Sequence, residues 1–171
     1  IVEEIQKLKQ EKNAVILAHY YVRPEVQDIA DYIGDSFYLS RVATELSEST
    51  IVFCGVSFMG ESAKILNPDK TVLMPDPTAD CPMAHMVTKE TVQAARDQYD
   101  DLAVVCYINS TQEIKSWSDV CVTSANAVKI VKNLPNKHIL FIPDRNLAHF
   151  VAAAVPEKEF IYNEGFCIVH E

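Results

Sequence analysis

The segment AVILAHYYVRPEVQDIADYIGDS, residues 14–36, gives the clearest indication of the fold. It begins with five consecutive apolar residues, a length and composition typical of a strand that is buried on both faces. Pro24 suits the first turn of a helix, and the apolar stripe through residues 26–33 predicts a helix that Gly34 ends. A buried strand followed directly by a helix is the repeating element of an α/β fold with a parallel sheet.

The same alternation continues through the rest of the chain. Apolar runs with the length of a strand recur, and most are followed by a segment with helical periodicity. The expected strands are 14–18, 50–54, 71–74, 102–108, 138–142 and 159–162, and the expected helices are 1–11, 24–33, 36–46, 57–66, 88–99, 124–134 and 146–155. This order predicts an α/β architecture of short parallel sheets covered by helices on both faces, in small three-layer αβα units.

An internal repeat underlies the alternation. Residues 18–36 fall on residues 106–124 at an offset of 88, with strands, helix ends and serines in the same register. The identical pairs at this offset include Asp31 with Asp119, Ser36 with Ser124, and Lys70 with Lys158. We therefore expect two copies of one small α/β unit, residues 1–85 and 86–171, each ending in a loop with a cysteine.

Composition and charge narrow the classes of function. The chain has 171 residues, 49% of them apolar and 23% charged, so a folded core is expected and disorder is excluded. The net charge of −9 argues against nucleic acid or an anionic membrane as a partner. The sequence has no apolar run near the roughly 18 residues of a membrane span and does not open on a signal peptide, so the expected location is the cytoplasm.

The five cysteines are scattered, without close pairs, and their odd number argues against a disulfide framework. Cys54, Cys106 and Cys121 lie in or beside apolar runs, which favours their interpretation as small buried hydrophobic residues. Cys81 and Cys167 instead lie in polar loops that follow strand-like runs. A loop cysteine in a reducing compartment is a candidate for metal binding or catalysis, and ordinary structural cysteines remain the alternative.

Ligands of open parallel α/β sheets bind beyond the carboxyl ends of the strands, where this chain carries many polar residues. These residues are His19, Tyr20, Tyr21, Tyr107, Asn109, Asp144, Arg145, His149 and His170. His19 closes the first strand, and one histidine there is as easily structural as catalytic. The two tyrosines that follow it supply proton donors that a plain turn does not need.

The aligned serines Ser36 and Ser124 each begin a predicted helix. A serine in that place either caps its own helix or, together with the free backbone N–H groups, binds a phosphate or a carboxylate. Two such sites in equivalent positions of a repeat would suit a substrate with two anionic ends.

Several long strings, taken in order, resemble one known family. They are AHYY, PEVQDIADYIGDS, IVFCGVSFMGESAKILNPDKTVL, YINST, TSANAV, PDRNLA and GFCIVH, and they look like quinolinate synthase over essentially the whole chain. The resemblance implies condensation of iminoaspartate with dihydroxyacetone phosphate to quinolinate, phosphate and water, in the biosynthesis of NAD. It also implies three α/β domains, pseudo-symmetric about a central site that holds a [4Fe–4S] cluster, with one cysteine from each domain.

The resemblance implies roles for individual residues. The expected metal ligands are the two loop cysteines, Cys81 and Cys167. The expected substrate-binding residues all lie near strand ends: His19, Ser36, Tyr107, Asn109 and Ser124. The expected catalytic residues come from the same loops: His19, Tyr21, which lies on a closing loop, and Tyr107. The expected partners are the two small-molecule substrates and the enzyme that supplies iminoaspartate.

The sequence also departs from the family pattern, because it contains only two of the three expected cysteine loops. A third unit, with the third cluster ligand, is absent from these residues, so we expect a fragment that is inactive alone. The competing hypothesis is a non-catalytic α/β module that binds a ligand or a metal, with loop cysteines that are ordinary or hold zinc.

Overall fold

A computed structural model describes residues 1–169, and these divide between Asp80 and Cys81 into two compact units. Each unit contains one four-stranded sheet whose strands all run parallel, with helices beside it. The predicted α/β architecture is confirmed, as is its construction from two repeated units. Residues 81–85 pack with the second unit, and the boundary of the sequence repeat after residue 85 stays a prediction. No helix of residues 1–169 is both long and apolar enough to cross a membrane.

The first unit has eight elements, and its strands lie in the order β2-β1-β3-β4. In chain order these are α1 (Val2–Glu11), β1 (Ala14–His19), α2 (Pro24–Gln27), β2 (Tyr32–Gly34), α3 (Ser36–Glu45), β3 (Thr50–Cys54), α4 (Ser57–Leu66) and β4 (Thr71–Leu73). Strand β1 therefore lies inside the sheet, between β2 and β3, and β2 and β4 form its edges.

The second unit repeats this plan after a short 3₁₀ helix, Pro82–His85, and its strands lie in the order β6-β5-β7-β8. Its elements are α5 (Lys89–Gln98), β5 (Leu102–Tyr107), α6 (Gln112–Ser116), β6 (Val120–Val122), α7 (Ala127–Asn133), β7 (His138–Ile142), α8 (Arg145–Ala154) and β8 (Glu159–Tyr162). The two sheets have the same strand order, as the sequence repeat requires.

Each sheet contains one edge strand that the sequence did not predict. The expected helix over residues 24–33 was wrong in its second half, because α2 ends at Gln27 and residues 32–34 form β2. The backbone N–H of Ile16 donates to Asp31 Oδ2 at 2.8 Å, and the N–H of Asp31 donates to Ile16 O at 2.9 Å. This exchange fixes the chain beside β1 just before β2 begins, so tertiary hydrogen bonds override the helical periodicity.

The second unit repeats this junction at Asp119. The N–H of Val104 donates to Asp119 Oδ2 at 2.7 Å, and the N–H of Asp119 donates to Val104 O at 2.9 Å. Each aspartate also pairs with a cation from the first helix of its unit, Lys9 at 2.7 Å and Arg96 at 3.1 Å. The identity of Asp31 and Asp119 in the repeat therefore has a structural cause, since both join an edge strand to its neighbour.

A second repeated device involves Lys70 and Lys158. Lys70 Nζ donates to the carbonyl oxygens of Ala43 and Leu46 at the end of α3, and Lys158 Nζ donates to those of Leu134 and Asn136 after α7. Carbonyl groups at a helix C-terminus have no partner within the helix, and a cation there is favoured by the helix dipole. Both lysines directly precede the last strand of their unit, and they connect the start of that strand to the C-terminal end of α3 and of α7, respectively.

The second unit is packed on both faces of its sheet. On one face, Val105 and Phe141 pack with residues of α7 and α8. On the other face, Val104 and Leu140 pack with residues of α5 and α6, and all four of these strand residues are at most 1% exposed. The helices therefore form a layer on each side of the sheet, as the alternation of strands and helices predicted.

The first unit is packed tightly on only one face of its sheet. Leu17 and Phe53 are fully buried on the side of α3 and α4, which contact the strands there. On the opposite face, α1 and α2 leave an apolar cleft of about 530 Å³, and no residue of α1 is buried. Leu73 on this face is 50% exposed, whereas the equivalent Ile161 is half-buried. We call this feature the α1 cleft.

The Asp119 junction leads to a prediction on stability. Asp119→Ala should lower the free energy of unfolding by about 2 kcal/mol, because it leaves the buried Val104 N–H without an acceptor. Asp119→Asn keeps an oxygen in place and should recover about half of that loss. Urea unfolding followed by circular dichroism measures both variants. If the alanine variant is as stable as the wild type, the Asp119 carboxylate does not support the edge strand.

Candidate functional site

The first unit brings His19 and Ser36 to neighbouring strand ends. His19 is the last residue of β1, and its register partner is Gly34, the last residue of β2. The backbone N–H of Tyr20 donates to Gly34 O at 3.2 Å, which continues the pairing beyond the strands. Ser36 follows Gly34 by two residues and begins α3. Both residues therefore lie at the carboxyl edge of the sheet, where ligands of parallel sheets bind.

The imidazole of His19 is held in a defined state. His19 is 7% exposed, and its Nδ1 accepts a hydrogen bond from the backbone N–H of Tyr21 at 3.2 Å. Burial lowers the pKa of His19 below its usual value, and the negative charge of Asp35 opposes this only in part. The imidazole is therefore neutral near pH 7, with its proton on Nε2, since Nδ1 is the acceptor. In that state Nε2 is a hydrogen-bond donor.

Tyr21 lies against this imidazole, in contact through the ring edge. The ring centroids of His19 and Tyr21 are 4.7 Å apart with the planes at 77°, and Tyr21 is 83% exposed. Tyr20 contacts the same ring at a centroid distance of 6.3 Å. The Tyr21 backbone is thus held beside His19 by the hydrogen bond from its N–H to Nδ1, while most of the Tyr21 side chain faces solvent.

The cap of α3 is Asp35, so the interpretation of Ser36 as the helix cap was wrong. Asp35 Oδ1 accepts the hydrogen bond of the Tyr38 N–H at 2.7 Å, and Ser36 is the first residue within the helix. A carboxylate before the first turn is the better partner for the N-terminus of a helix. The Ser36 hydroxyl is therefore not needed for capping, which removes the main structural reason for a serine there.

The second unit brings Tyr107, Asn109 and Ser124 to the equivalent strand ends. Tyr107 closes β5 and pairs with Val122, the last residue of β6. The N–H of Ile108 donates to Val122 O at 2.8 Å, so the two segments remain paired just beyond the ends of β5 and β6. Tyr107 and Asn109 are half-buried, and Ser124 is exposed.

The start of α7 differs from the prediction. The helix begins at Ala127, three residues later than expected, and Ser124 lies in the turn before it. Asn126 Oδ1 accepts the hydrogen bond of the Thr123 N–H at 2.7 Å and so closes this turn. Unlike Asp35 in the first unit, Asn126 closes the turn before the helix, and no side chain accepts a hydrogen bond from the first turn of α7.

The loops that carry Cys81 and Cys167 are joined through Met86. Asn163 Nδ2 donates to Met86 O at 2.9 Å and to Pro143 O at 2.8 Å, and the N–H of Phe166 donates to Met86 Sδ at 3.5 Å. Met86 lies five residues after Cys81, and Phe166 directly precedes Cys167. Both cysteines are half-buried. The structure therefore brings the two cysteine loops together within one compact unit.

Gly165 allows this close approach. A Cβ atom at this position would lie 2.6 Å from Pro143 O, 2.7 Å from Asn163 Nδ2 and 2.9 Å from Met86 Cβ. The backbone N–H of Arg145 also donates to Gly165 O at 2.7 Å. Only glycine fits between these groups, so the loop that ends in Cys167 has a fixed path over the loop that follows Cys81.

The other three cysteines differ among themselves. Cys106 is buried, as expected, and Cys54 is half-buried, where burial raises the pKa of its thiol. Cys121 is exposed, so its interpretation as a buried hydrophobic residue was wrong. It lies on the edge strand β6, which the sequence had not predicted. None of the five cysteines, all of them within residues 1–169, forms a disulfide.

Three of the other candidate residues have structural partners in the second unit. Asp144 caps α8 by accepting the N–H of Asn146 at 2.9 Å, and His149 stacks on Tyr162 with ring centroids 4.2 Å apart. The Arg145 guanidinium lies 4.7 Å from the centre of the Phe166 ring. His170 lies outside the described residues. Across residues 1–169, no group of three or more His, Cys, Asp or Glu side chains is arranged to hold a metal ion.

The sequence did not reveal the roles of Asp35, which lies beside His19, and of Asn163, which joins the two cysteine loops. Asp35 caps α3 and acts electrostatically on His19. An aspartate directly before an apolar helical segment is a capping signal, but Ser36 beside it gives the same signal. The buried Asn163 joins the cysteine loops, and no local pattern marks a residue whose partners lie 20 and 77 positions away.

Comparisons with known proteins agree with the resemblance. The family model described as quinolinate synthetase A protein matches residues 3–171. A quinolinate synthase of Fusobacterium nucleatum is 59% identical over 168 residues, which make up 98% of this chain and 56% of that protein. Those of Caldicellulosiruptor saccharolyticus and a Sulfurihydrogenibium species are each 56% identical over 170 residues, or 99% of this chain and 56% and 55% of theirs. The chain thus spans about half the length of the curated relatives it matches.

Proposed function

The chain belongs to the quinolinate synthetase A protein family, and on that premise we propose that it supplies two of the three α/β units of a quinolinate synthase. The whole enzyme would condense iminoaspartate with dihydroxyacetone phosphate to quinolinate, phosphate and water, a step of NAD biosynthesis. The observation that carries the proposal is the junction of the Cys81 and Cys167 loops through Met86. Two half-buried thiols on adjoining loops suit two ligands of one iron–sulfur cluster.

The proposed cofactor is a [4Fe–4S] cluster, with Cys81 and Cys167 as two of its ligands. Thiolates are the ordinary ligands of such clusters, and the donor set on this chain is incomplete, in keeping with a third cysteine from a further unit. A cluster held by three cysteines leaves one iron open, which supplies a Lewis acid for a carboxylate or hydroxyl of the substrate. Residues 1–171 alone would then be inactive.

The strand-end residues are proposed to bind the anionic substrates. Ser36 and Ser124 offer hydroxyl groups that are not used as helix caps, and His19 and Asn109 offer neutral donors near the strand ends. Neutral donors and backbone N–H groups bind carboxylates and phosphates without adding positive charge. This mode of binding reconciles anionic substrates with a net charge of −9.

His19, Tyr21 and Tyr107 are proposed as the residues that handle protons. The condensation releases water and phosphate, so protons must be donated to and removed from the reacting groups. A neutral His19 with its proton on Nε2 can donate that proton and take it back, and the buried position of the ring favours the neutral form. Tyr21, exposed beside His19, is proposed to close over the bound substrates.

The proposed partner protein is the enzyme that supplies iminoaspartate. An imine hydrolyses in water, so transfer close to its source would protect it. The proposed location is the cytoplasm, because five cysteines without a disulfide suit a reducing compartment.

Ser36 provides a test that separates substrate binding from stability. In the full-length protein, Ser36→Ala should weaken binding of dihydroxyacetone phosphate about tenfold, the equivalent of one hydrogen bond to a charged group, with little change in stability. The matched control is Asp35→Ala, which removes the actual cap and should lower stability by about 1 kcal/mol. Calorimetric titration and thermal unfolding measure the two effects. A Ser36→Ala variant that binds normally would take this residue out of the proposed site.

The competing zinc-binding module is distinguished by colour and activity. Full-length protein purified without oxygen should be brown and should form quinolinate from the two substrates. A colourless protein that contains zinc and no iron would refute the proposed function.

A further inference from the structure

Cys106 and Cys121 are direct neighbours in the second sheet. They are register partners on the parallel strands β5 and β6. Adjacent strands lie about 4.8 Å apart, and partners in register project to the same face of the sheet. That spacing falls within the range of roughly 4.4–6.8 Å between Cα atoms that a disulfide spans. The two thiols are therefore placed for direct reaction with each other.

The two thiols have opposite environments. Cys106 is fully buried in the apolar cluster between the sheet and α5, whereas Cys121 is exposed on the edge strand. The neighbouring Cys121 thiol raises the pKa of Cys106, and burial raises it further. The adjacent Cys106 thiol lowers the pKa of Cys121 to about 7, and the positive charge of Lys115 acts in the same direction. One thiol is thus reactive and accessible, and its partner is protected.

The sequence repeat shows that the fold does not need these thiols. The equivalent positions in the first unit are Ala18 and Ile33, which are register partners on β1 and β2. An aliphatic pair therefore fills the same place in an equivalent sheet. A small apolar residue would serve equally well at Cys106, and packing gives no reason for a thiol at the exposed position of Cys121.

We propose that Cys106 and Cys121 form an oxidisable dithiol, in which Cys121 reacts first with a hydroperoxide and Cys106 then closes a disulfide. The Cys121 sulfur attacks one peroxide oxygen, the O–O bond breaks, and the products are a sulfenic acid and, with hydrogen peroxide, water. The Cys106 sulfur then attacks the Cys121 sulfur, the S–O bond breaks, and a second water leaves with the Cys106 proton. The two thiols lose two electrons and two protons, and the peroxide is reduced to two molecules of water.

This dithiol lies close to the proposed substrate residues. Cys106 directly precedes Tyr107, and Cys121 lies three residues before Ser124. A disulfide would join β5 to β6 just before the strand ends that carry those residues, so oxidation would alter substrate binding. This consequence rests on the proposed function, whereas formation of the disulfide does not.

Peptide mapping of the full-length protein tests the proposal. The protein is treated with one equivalent of hydrogen peroxide, blocked with N-ethylmaleimide and digested with trypsin without reduction. Cleavage after Arg96, Lys115 and Lys129 places the two cysteines on separate peptides, 97–115 and 116–129. We expect these peptides to appear as one disulfide-linked species that dithiothreitol separates. If peroxide is consumed while both peptides are recovered separately, each with its cysteine blocked by N-ethylmaleimide, the proposal is overturned.

Two variants and one internal control assign the roles. Cys106→Ala, which copies Ala18 of the first unit, should leave Cys121 as a sulfenic acid that dimedone traps. Cys121→Ala should leave Cys106 reduced. In the wild type at pH 7, Cys121 should react with iodoacetamide at least tenfold faster than Cys54, whose thiol is half-buried with a raised pKa. Equal rates at Cys121 and Cys54 would exclude Cys121 as the reactive thiol, and quinolinate formation is needed for none of these measurements.

Discussion

Serine in place of Cys81 or Cys167 in the full-length protein should reduce its iron content from about four atoms per chain to almost none. Serine keeps the size of the side chain but is a poor ligand of iron, so each change removes one of the three proposed protein ligands. Iron and sulfide analysis of protein purified without oxygen, together with its visible absorption, measures the loss.

Cys54→Ser and Cys121→Ser are the matched controls for these variants. Both cysteines lie outside the two joined loops, so their replacement should leave the iron content unchanged. Thermal unfolding of every variant separates loss of the cluster from loss of the fold. A Cys81→Ser or Cys167→Ser variant with the iron content of the wild type would remove that cysteine from the proposed ligands.

Leu140→Ala should lower the free energy of unfolding by about 3–5 kcal/mol, the largest effect that we expect on stability. Leu140 is 1% exposed and lies in the apolar cluster between β7 and the helices on that face. The truncation removes buried methyl groups and leaves a cavity that close-packed neighbours cannot fill. Urea unfolding measures the difference as a shift in the midpoint.

The first unit supplies the control with the same chemistry. Leu73 lies on the equivalent face of its own sheet, beside the α1 cleft, and is 50% exposed. Leu73→Ala should therefore cost about 1 kcal/mol or less, because little apolar surface is withdrawn from water there. Equal losses in the two variants would show that the α1 cleft is closed in solution.

The sequence predicted most elements of the fold, including the three-residue strand β4, but missed the short helix α6 and the edge strands β2 and β6. Strands such as 50–54 and 138–142 were found with the correct bounds, because a run of four apolar residues after one polar residue is a clear signal. The edge strands β2 and β6 have three residues each, too few for a period of two to be recognised. Their position depends on the contacts of Asp31 and Asp119 with residues 15 positions away, which no local pattern contains.

The sequence predicted where the candidate residues lie in the fold, but not which hydrogen bonds they make. His19, Tyr107, Ser36 and Ser124 lie close to the strand ends where the parallel topology puts them, since that follows from the direction of the chain. The division of roles between Ser36 and Asp35 depends on one backbone N–H and could not be predicted, because aspartate and serine are both common helix caps. The exposure of Cys121 likewise depends on an edge strand that the sequence had not revealed.

The α1 cleft also affects how easily the sheet of the first unit unfolds locally. Amide protons of a sheet exchange with solvent through local unfolding, and the free energy of that opening falls where few apolar contacts must be broken. In the first unit, one face of β3 and β4 is covered only loosely, whereas the equivalent β7 and β8 of the second unit are held on both sides. The two repeated units should therefore differ in local stability. Amide protons of the first sheet should exchange through local opening at a lower free energy than those of the second sheet.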